Sequence, residues 1–285
     1  MRKVDSRKPS SLMITDRHLR LLEWNDLPQA WNLSRLAGWN QTAEDWQLLL
    51  ELAPNGCFCV EWDRTVVATA TLMPYGSRLG FIGMVLTHPD YRRRGCARQL
   101  LVELLARAST IGIETLKLDA TEAGEPLYRS LGFRRDQAIE RWGRRGSPAT
   151  KPQPSAAHSD LAPWLEVDAY AFGADRSLLL RKLAERGKCY VNEEGFLLSR
   201  PGRTSTYLGP CRARSRDAAT DLFTRAIEHG APAWAWDLFP ANRQAVRLAT
   251  ALEFTPERRL TRMVRGAGPD SNSESGYAIA GFELG

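Results

Sequence analysis

Residues 84–107, MVLTHPDYRRRGCARQLLVELLAR, constrain the fold more than any other stretch of this chain. An apolar run ends at Thr87, and Pro89 and Asp90 make a turn. An amphipathic helix follows Gly95, with Leu100, Leu101, Leu104, Leu105 and Ala108 on its apolar face. The stretch therefore reads as a strand, a tight turn and the start of a helix. The first turn of a helix offers backbone N–H groups that have no partner inside the helix. The helix dipole adds a partial positive charge there, so the terminus suits a phosphate anion. Gly95 and Ala97 leave room for a ligand close to the backbone. Arg92, Arg93 and Arg94 add positive charge around it.

Other phosphate loops do not match. A nucleotide loop of the Walker type needs G-x-x-x-x-G-K-[ST], and a dinucleotide loop needs G-x-G-x-x-G; neither is present. Arg92-x-x-Gly95-x-Ala97, preceded by a strand and His88-Pro89, resembles the [QR]-x-x-G-x-[GA] signature of the GNAT superfamily of acyl-CoA N-acyltransferases. Leu127-Tyr128-Arg129-Ser130-Leu131-Gly132-Phe133 resembles the same family's L-Y-x-x-L-G-F, at the expected distance beyond the loop.

The flanking sequence orders itself accordingly. A short strand at 19–23 precedes helices at 27–37 and 42–52, the second capped by Thr42 with Asp45 three residues on. Residues 57–62 and 65–73 read as a hairpin and 78–87 as a fourth strand. Beyond the long helix, 115–120 alternates as a fifth strand, a short helix spans 124–131, and the last strands lie near Phe133 and 139–142. Residues 147–159, with Pro148, Pro152 and Pro154, read as a linker.

The remainder repeats the pattern: helix 177–186, hairpin 188–192 and 195–199, strand 206–208 ending at Gly209-Pro210, helix 215–229, strand 233–238, helix 242–252, and an apolar closing strand at 277–284. Placing Phe254 opposite Phe133 puts Ala249 opposite Tyr128 and Arg216 near Gly95, so this copy lacks the loop glycine and the tyrosine. The chain as a whole resembles bacterial tandem GNAT proteins with an active first domain and a degenerate second one. The expected class is α/β (α+β): two tandem GNAT-like domains, each a mixed, mostly antiparallel twisted sheet flanked by helices. The expected boundaries are a flexible lead-in (1–14), a catalytic domain (15–146), the linker (147–159) and the degenerate domain (160–285).

The resemblance implies transfer of an acetyl group from acetyl-CoA to an amine by direct attack, with no metal. It assigns the pyrophosphate to the backbone amides of Arg93, Arg94, Gly95, Cys96 and Ala97, beside Arg92. The pantetheine arm falls to the edge of Val85, Leu86 and Thr87. Backbone groups near Met84 or Val85 would polarise the thioester carbonyl. Tyr128 is the implied general acid; outside such a motif it would read as a buried structural tyrosine. Thr121 stands where the family often has an asparagine that contacts the cofactor. Asp119, Glu122, Glu61 and His88 are candidate bases, Asp119 preferred because it ends the fifth strand beside the expected cleft. Trp39, Asn40, Gln41 and Trp46 lie on the loop and helix flanking the acceptor side and suit a small polar amine, Trp46 reading equally as a core residue; Asp237 and Arg200 are further contributors that sequence alone does not locate.

Composition bounds the alternatives. The chain has 285 residues, 43% hydrophobic and 25% charged, with a net charge of +6. That balance fits a phosphorylated ligand, nucleic acid or a membrane surface. The arginines of 92–94 and 141–145 raise nucleic acid as an option, but no recognition-helix pattern accompanies them, and no nucleic-acid partner is expected. No membrane span is expected, since no apolar run approaches ~20 residues. Five cysteines (Cys57, Cys59, Cys96, Cys189 and Cys211) form no C-x-x-C pair, which suggests reduced thiols. Cys57 and Cys59 read as core and Cys96 as a small residue in a tight loop. The basic N-terminus has no apolar core behind it, so the expected location is cytoplasmic. The expected form is a monomer, a pseudo-dimer of domains, or a homodimer. The competing reading is a non-catalytic sensor that binds acyl-CoA or a metabolite.

Overall fold

The computed structural model describes residues 17–146, 160–267 and 276–285; the expected lead-in and linker lie outside the described residues. The first half runs β1 (Arg17–Leu21), α1 (Leu27–Leu36), α2 (Ala43–Leu52), β2 (Cys57–Trp62), β3 (Thr65–Tyr75) and β4 (Leu79–Thr87). It continues with α3 (Cys96–Thr110), β5 (Thr115–Ala120), α4 (Glu125–Ser130) and β6 (Arg134–Arg145). The second half runs α5 (Leu165–Phe172), α6 (Ser177–Arg186), β7 (Lys188–Asn192), β8 (Gly195–Arg200) and β9 (Thr206–Ala213). It continues with α7 (Arg216–Glu228), β10 (Ala233–Leu238), α8 (Arg243–Ala251), β11 (Thr255–Arg265) and β12 (Gly276–Ala278). The order from α1 to β6 recurs from α5 to β11.

Local chemistry accounts for the boundaries. At the start of α2, Thr42 Oγ1 accepts from Asp45 N–H at 3.2 Å and the Asp45 carboxylate accepts from Thr42 N–H at 2.8 Å. In β2, Cys57 and Cys59 turn to one face of the sheet and Phe58 and Val60 to the other. Burial raises the Cys57 and Cys59 thiols to about 12, so neither is a ready thiolate.

The strands join in one sheet of order β1-β2-β3-β4-β5-β11-β6-β10-β9-β8-β7, with β12 beside β9. Among the described residues only β4–β5 and β10–β9 pair in parallel. Each half thus supplies a mixed, mostly antiparallel sheet, and the halves exchange their last strands. β11 of the second half pairs with β5 of the first, β6 of the first pairs with β10 of the second, and β6 and β11 pair along the pseudo-twofold axis. Helices α3 and α4 pack on one face of the first half, α7 and α8 on the same face of the second. The other face carries α1, α2, α5 and α6 in one continuous core that also takes in Leu284.

Three expectations change, and one strand is new. The last strands of the first half are one strand, Arg134–Arg145. β9 does not end at Gly209-Pro210 but bulges there and continues to Ala213, as the register shift against β8 shows. Of the apolar 277–284 run, only Tyr277 and Ala278 lie in a strand, β12, and the rest is a buried tail. β11, with four arginines in its eleven residues, carried no strand signal in sequence because its partners hide its charges.

Candidate active site

β4 opens the site. Its pairing with β5 stops at Ile82–Leu118, so the two strands splay beyond that point. On the β3 side, Thr71 pairs with Gly83 and Thr69 with Leu86, so Met84 and Val85 share one opposing residue. This is a bulge, with Met84 at φ +49° and its carbonyl accepting from Thr69 Oγ1 at 2.9 Å. Val85, Leu86 and Thr87 form the edge beyond the splay.

The chain then turns into α3. Arg93 has φ +59° and Gly95 φ +81°, conformations that curl successive amides toward one side. The first helical hydrogen bond is Gln99 N–H to Gly95 O at 3.0 Å. The amides of Cys96, Ala97 and Arg98 precede it and are not claimed by the helix. A Cβ on Gly95 would meet nothing within 4 Å, so the cradle is open. The three arginines differ in role. Arg94 stacks over Trp62 and Tyr91, 5.3 Å from each ring centre. Arg92 donates to Thr87 O at 3.4 Å. Arg93 is exposed. Cys96 is buried beneath the loop in the α3 core.

A pocket of about 650 Å³ lies where β4 and β5 part. Its first-half wall is Ile82–Val85, Leu118–Asp119, Thr121 and Tyr128, with Trp39 and Gln41 at one side. Tyr128 is 8% exposed, packs edge-on to Phe133 and makes no hydrogen bond through its hydroxyl among the described residues. Burial pushes that hydroxyl well above its ordinary range, so it keeps its proton. The Thr121 hydroxyl accepts from Gly124 N–H at 3.2 Å and thereby anchors the turn into α4.

Several sequence-based assignments are corrected. Asp119 is not a free base: its side chain is fully buried and both oxygens accept from Arg262, each at 2.8 Å. Asn40 does not face an acceptor. Its amide clamps the second half, accepting from Thr204 N–H at 2.8 Å and Ser205 N–H at 3.1 Å and donating to Ser205 O at 2.9 Å. Glu61 is held by Arg20 at 3.0 Å, Glu122 is exposed, and His88 accepts from Asp90 N–H at 3.3 Å. Arg141 belongs to no surface patch, because Asp237 accepts from it twice, at 2.7 and 2.6 Å.

The Asp119–Arg262 and Asp237–Arg141 pairs are counterparts across the pseudo-twofold axis. Each joins the fifth residue of a β5-type strand to the exchanged strand of the opposite half. Both are structural bridges.

Sequence reasoning missed the second-half wall: Arg258 and Leu260 from β11, and Phe282 and Glu283 from the tail. The signal available was Glu283 alone among apolar neighbours near the end of the chain. Glu283 lies against β4, since a Cβ on Gly83 would sit 2.7 Å from Glu283 Cα. Its carboxylate accepts from Gln41 Nε2 at 2.9 Å and from Arg200 Nη2 at 3.3 Å. Arg200 also reaches Asp45 at 3.3 Å.

The matching region of the second half is only partly filled: its β9 edge is taken, and a pocket of about 560 Å³ remains beside Arg212, Leu238, Phe239 and Ile279. β9 pairs in parallel with β10 only from Thr206 to Leu208. Beyond that splay β12 pairs with β9 at Cys211 and Arg212, and Ile279 N–H donates to Asp237 O at 3.1 Å. Trp236 Nε1 donates to Tyr277 O at 2.7 Å. At the start of α7, where α3 has Gly95, Ser215 caps the helix with its own hydroxyl, accepting from Ala218 N–H at 3.2 Å. Among the described residues no group of three His, Cys, Asp or Glu side chains could hold a metal ion, and no helix is long and apolar enough to cross a membrane.

Comparison with known proteins agrees with this geometry. The profile of the Acetyltransferase (GNAT) family matches residues 19–133, and that of an Acetyltransferase (GNAT) domain matches residues 164–278. The chain is 29% identical over 172 residues to the uncharacterized N-acetyltransferase YitH of Bacillus subtilis, covering 56% of this chain and 60% of that one. It is 31% identical over 83 residues to a glucosamine 6-phosphate N-acetyltransferase of Trypanosoma brucei brucei, covering 27% of this chain and 56% of that protein. The chain thus spans about half to three-fifths of the curated relatives it matches. A crystal structure from Pyrococcus horikoshii, assigned as an acetyltransferase, superposes with a TM-score of 0.83 at 21% identity, covering 99% of this chain and all of that one. A tandem GNAT protein from the clavulanic acid biosynthesis pathway gives 0.60 at 17% identity, covering 90% and 100%. At such identities these two likenesses speak for the fold.

Proposed function

The chain belongs to the GNAT acetyltransferases and carries two such domains in tandem; from that premise we propose that it transfers an acetyl group from acetyl-CoA to a primary amine of a small molecule, in the first half. The observation that carries this reading is the continuity of three features: the open amide turn at Gly95, the free edge of β4 and the pocket that ends at Tyr128.

The residues present fit the co-substrate. The amides around Gly95, with Arg93 nearby, would hold the pyrophosphate. The β4 edge at Val85–Thr87 would take the pantetheine amides as a strand takes a neighbour. The bulge at Met84–Val85 turns backbone groups toward the thioester carbonyl. In the transfer the amine nitrogen bonds to the carbonyl carbon and the carbon–sulfur bond breaks. Tyr128 gives its proton to the departing sulfur and regains one from the nitrogen. Asp119 takes no part, being locked to Arg262. The β9 edge taken by β12 and the self-capped α7 leave the second half a supporting role: it closes the acceptor side, which favours small acceptors over protein tails.

Thiol release from acetyl-CoA with a panel of small amines tests the reading. Tyr128→Phe is expected to lower kcat about 100-fold or more, the usual scale for loss of a general acid, while acetyl-CoA binds as before. An unchanged kcat in Tyr128→Phe would remove the tyrosine from the chemistry. Faster acetylation of a basic peptide than of any small amine would remove the small-acceptor reading.

A further inference from the structure

Resting on the acetyl-transfer reading, we infer that the acceptor is a primary amine that also bears an acidic group: Gln41 and Glu283 receive the amine, and Arg258 receives the carboxylate or phosphate. The amine end is built by two side chains. Gln41 is 7% exposed; its Nε2 donates to Glu283, but its Oε1 is buried with no hydrogen-bond partner. Such an orphaned acceptor facing a pocket awaits an N–H donor. Glu283 beside it is 3% exposed and lies against Gly83, next to the bulge that would orient the thioester. Among the described residues Glu283 and Asp45 share one bonded cation, Arg200, which leaves one negative charge without an ion-pair partner of its own, although Arg141 also acts on Glu283. An ammonium group would balance that charge.

The same cavity also holds an unpaired cation. Arg141, which lies near Glu283, is paired with Asp237, but Arg258 has no ion pair or hydrogen bond among the described residues. Its position is set by the sheet. The register of β11 against β6 slips at Glu257, placing Arg258 opposite Arg141. Burial and the neighbouring Arg141 make its positive charge costly, with only Asp237 in opposition. Burial likewise raises the Glu283 carboxyl, with Arg200 opposing. Two half-compensated charges of opposite sign facing one cavity suit a zwitterion. Neither a diamine nor an uncharged amine satisfies both.

The test uses the full chain, acetyl-CoA and primary amines on one short alkyl spacer that end in carboxylate, phosphate, hydroxyl or ammonium. Expected is a kcat/KM at least about 100-fold higher for an acid-bearing member than for the hydroxyl or ammonium members, the scale of one charge-assisted pair. The carboxylate and phosphate arms decide between the two acids. Arg258→Gln should abolish that preference, lowering kcat/KM for the acid-bearing amines far more than for the hydroxyl amine; Arg258→Lys should restore part of it. Calorimetric binding of the same amines separates the two claims. Acid-dependent binding lost in Arg258→Gln without any turnover upholds this assignment and refutes acetyl transfer. Turnover that prefers the hydroxyl or ammonium member, or falls equally for all acceptors in Arg258→Gln, upholds acetyl transfer and overturns this assignment.

Discussion

Asp168 is fully buried and accepts from Arg176 at 2.7 and 2.8 Å and from Arg212 at 3.0 Å. Burial alone would raise its carboxyl, but the two arginines outweigh burial and hold it at about 2, against an ordinary 3.8. A carboxyl depressed in the folded state stabilises the fold above its unfolded value and loses that contribution as pH falls through the folded one. The shift corresponds to about 2 kcal/mol, present above pH ~4 and lost between about 4 and 2. Asp168→Asn should therefore cost about 3–5 kcal/mol at pH 7, since two buried cations lose their partner. Its urea midpoint should converge toward the wild-type one near pH 2. A constant difference across that range would mean that Asp168 is not the titrating group. Such a residue was not legible in sequence: Asp168, Arg176 and Arg212 are scattered along a basic chain and meet only through folding. Tyr128 and Gly95 were legible because each sits in a local motif whose geometry the neighbouring residues determine.

Among the elements, β4 and the tail depend on each other. Gly83 is a strand residue whose missing side chain admits the Glu283 backbone; an added Cβ would sit 2.7 Å from Glu283 Cα and 2.9 Å from its carbonyl oxygen. The tail is tied further by Tyr75, whose hydroxyl donates to Leu284 O at 2.6 Å. Gly83→Ala should thus destabilise the protein by about 1–3 kcal/mol and lower acceptor turnover more than acetyl-CoA affinity. Thermal unfolding and separate saturation curves for the two substrates would read this; a wild-type melting point would mean that the tail yields freely. Sequence periodicity found most helices and strands because each has an apolar face. It did not find β11, whose Arg258, Arg259 and Arg262 break any apolar alternation. Two of these are turned inward, one of them to Asp119 on a strand more than 140 residues away in sequence. Register against distant partners is set by the sheet, not by local pattern.

For the whole molecule, the exchanged strands make the two halves one folding unit. β5 has its antiparallel neighbour, β11, only when the second half is present, and β10 has β6 only when the first is present. Two separately produced fragments, 1–153 and 154–285, should each be unstable through an exposed sheet edge and should fold on mixing, as followed by circular dichroism. Independent folding of either would contradict the exchange. The duplication was legible from the recurring order of elements, and the loss of Gly95 and Tyr128 equivalents marked the second copy as altered. That its β9 edge is taken by β12, and that its tail walls the first site, follows from topology that no local pattern records. On the proposed function, acetyl-CoA binds once per chain, at the α3 turn. Isothermal titration of acetyl-CoA into wild type and Gly95→Glu tests it, because a Cβ there meets no protein atom within 4 Å. Since φ +81° strains any side chain at this position, the variant's thermal unfolding is read beside the titration to show that it is folded. One site is expected in wild type and none in the folded variant; equal binding by both proteins, or two sites in wild type, would overturn single-site binding.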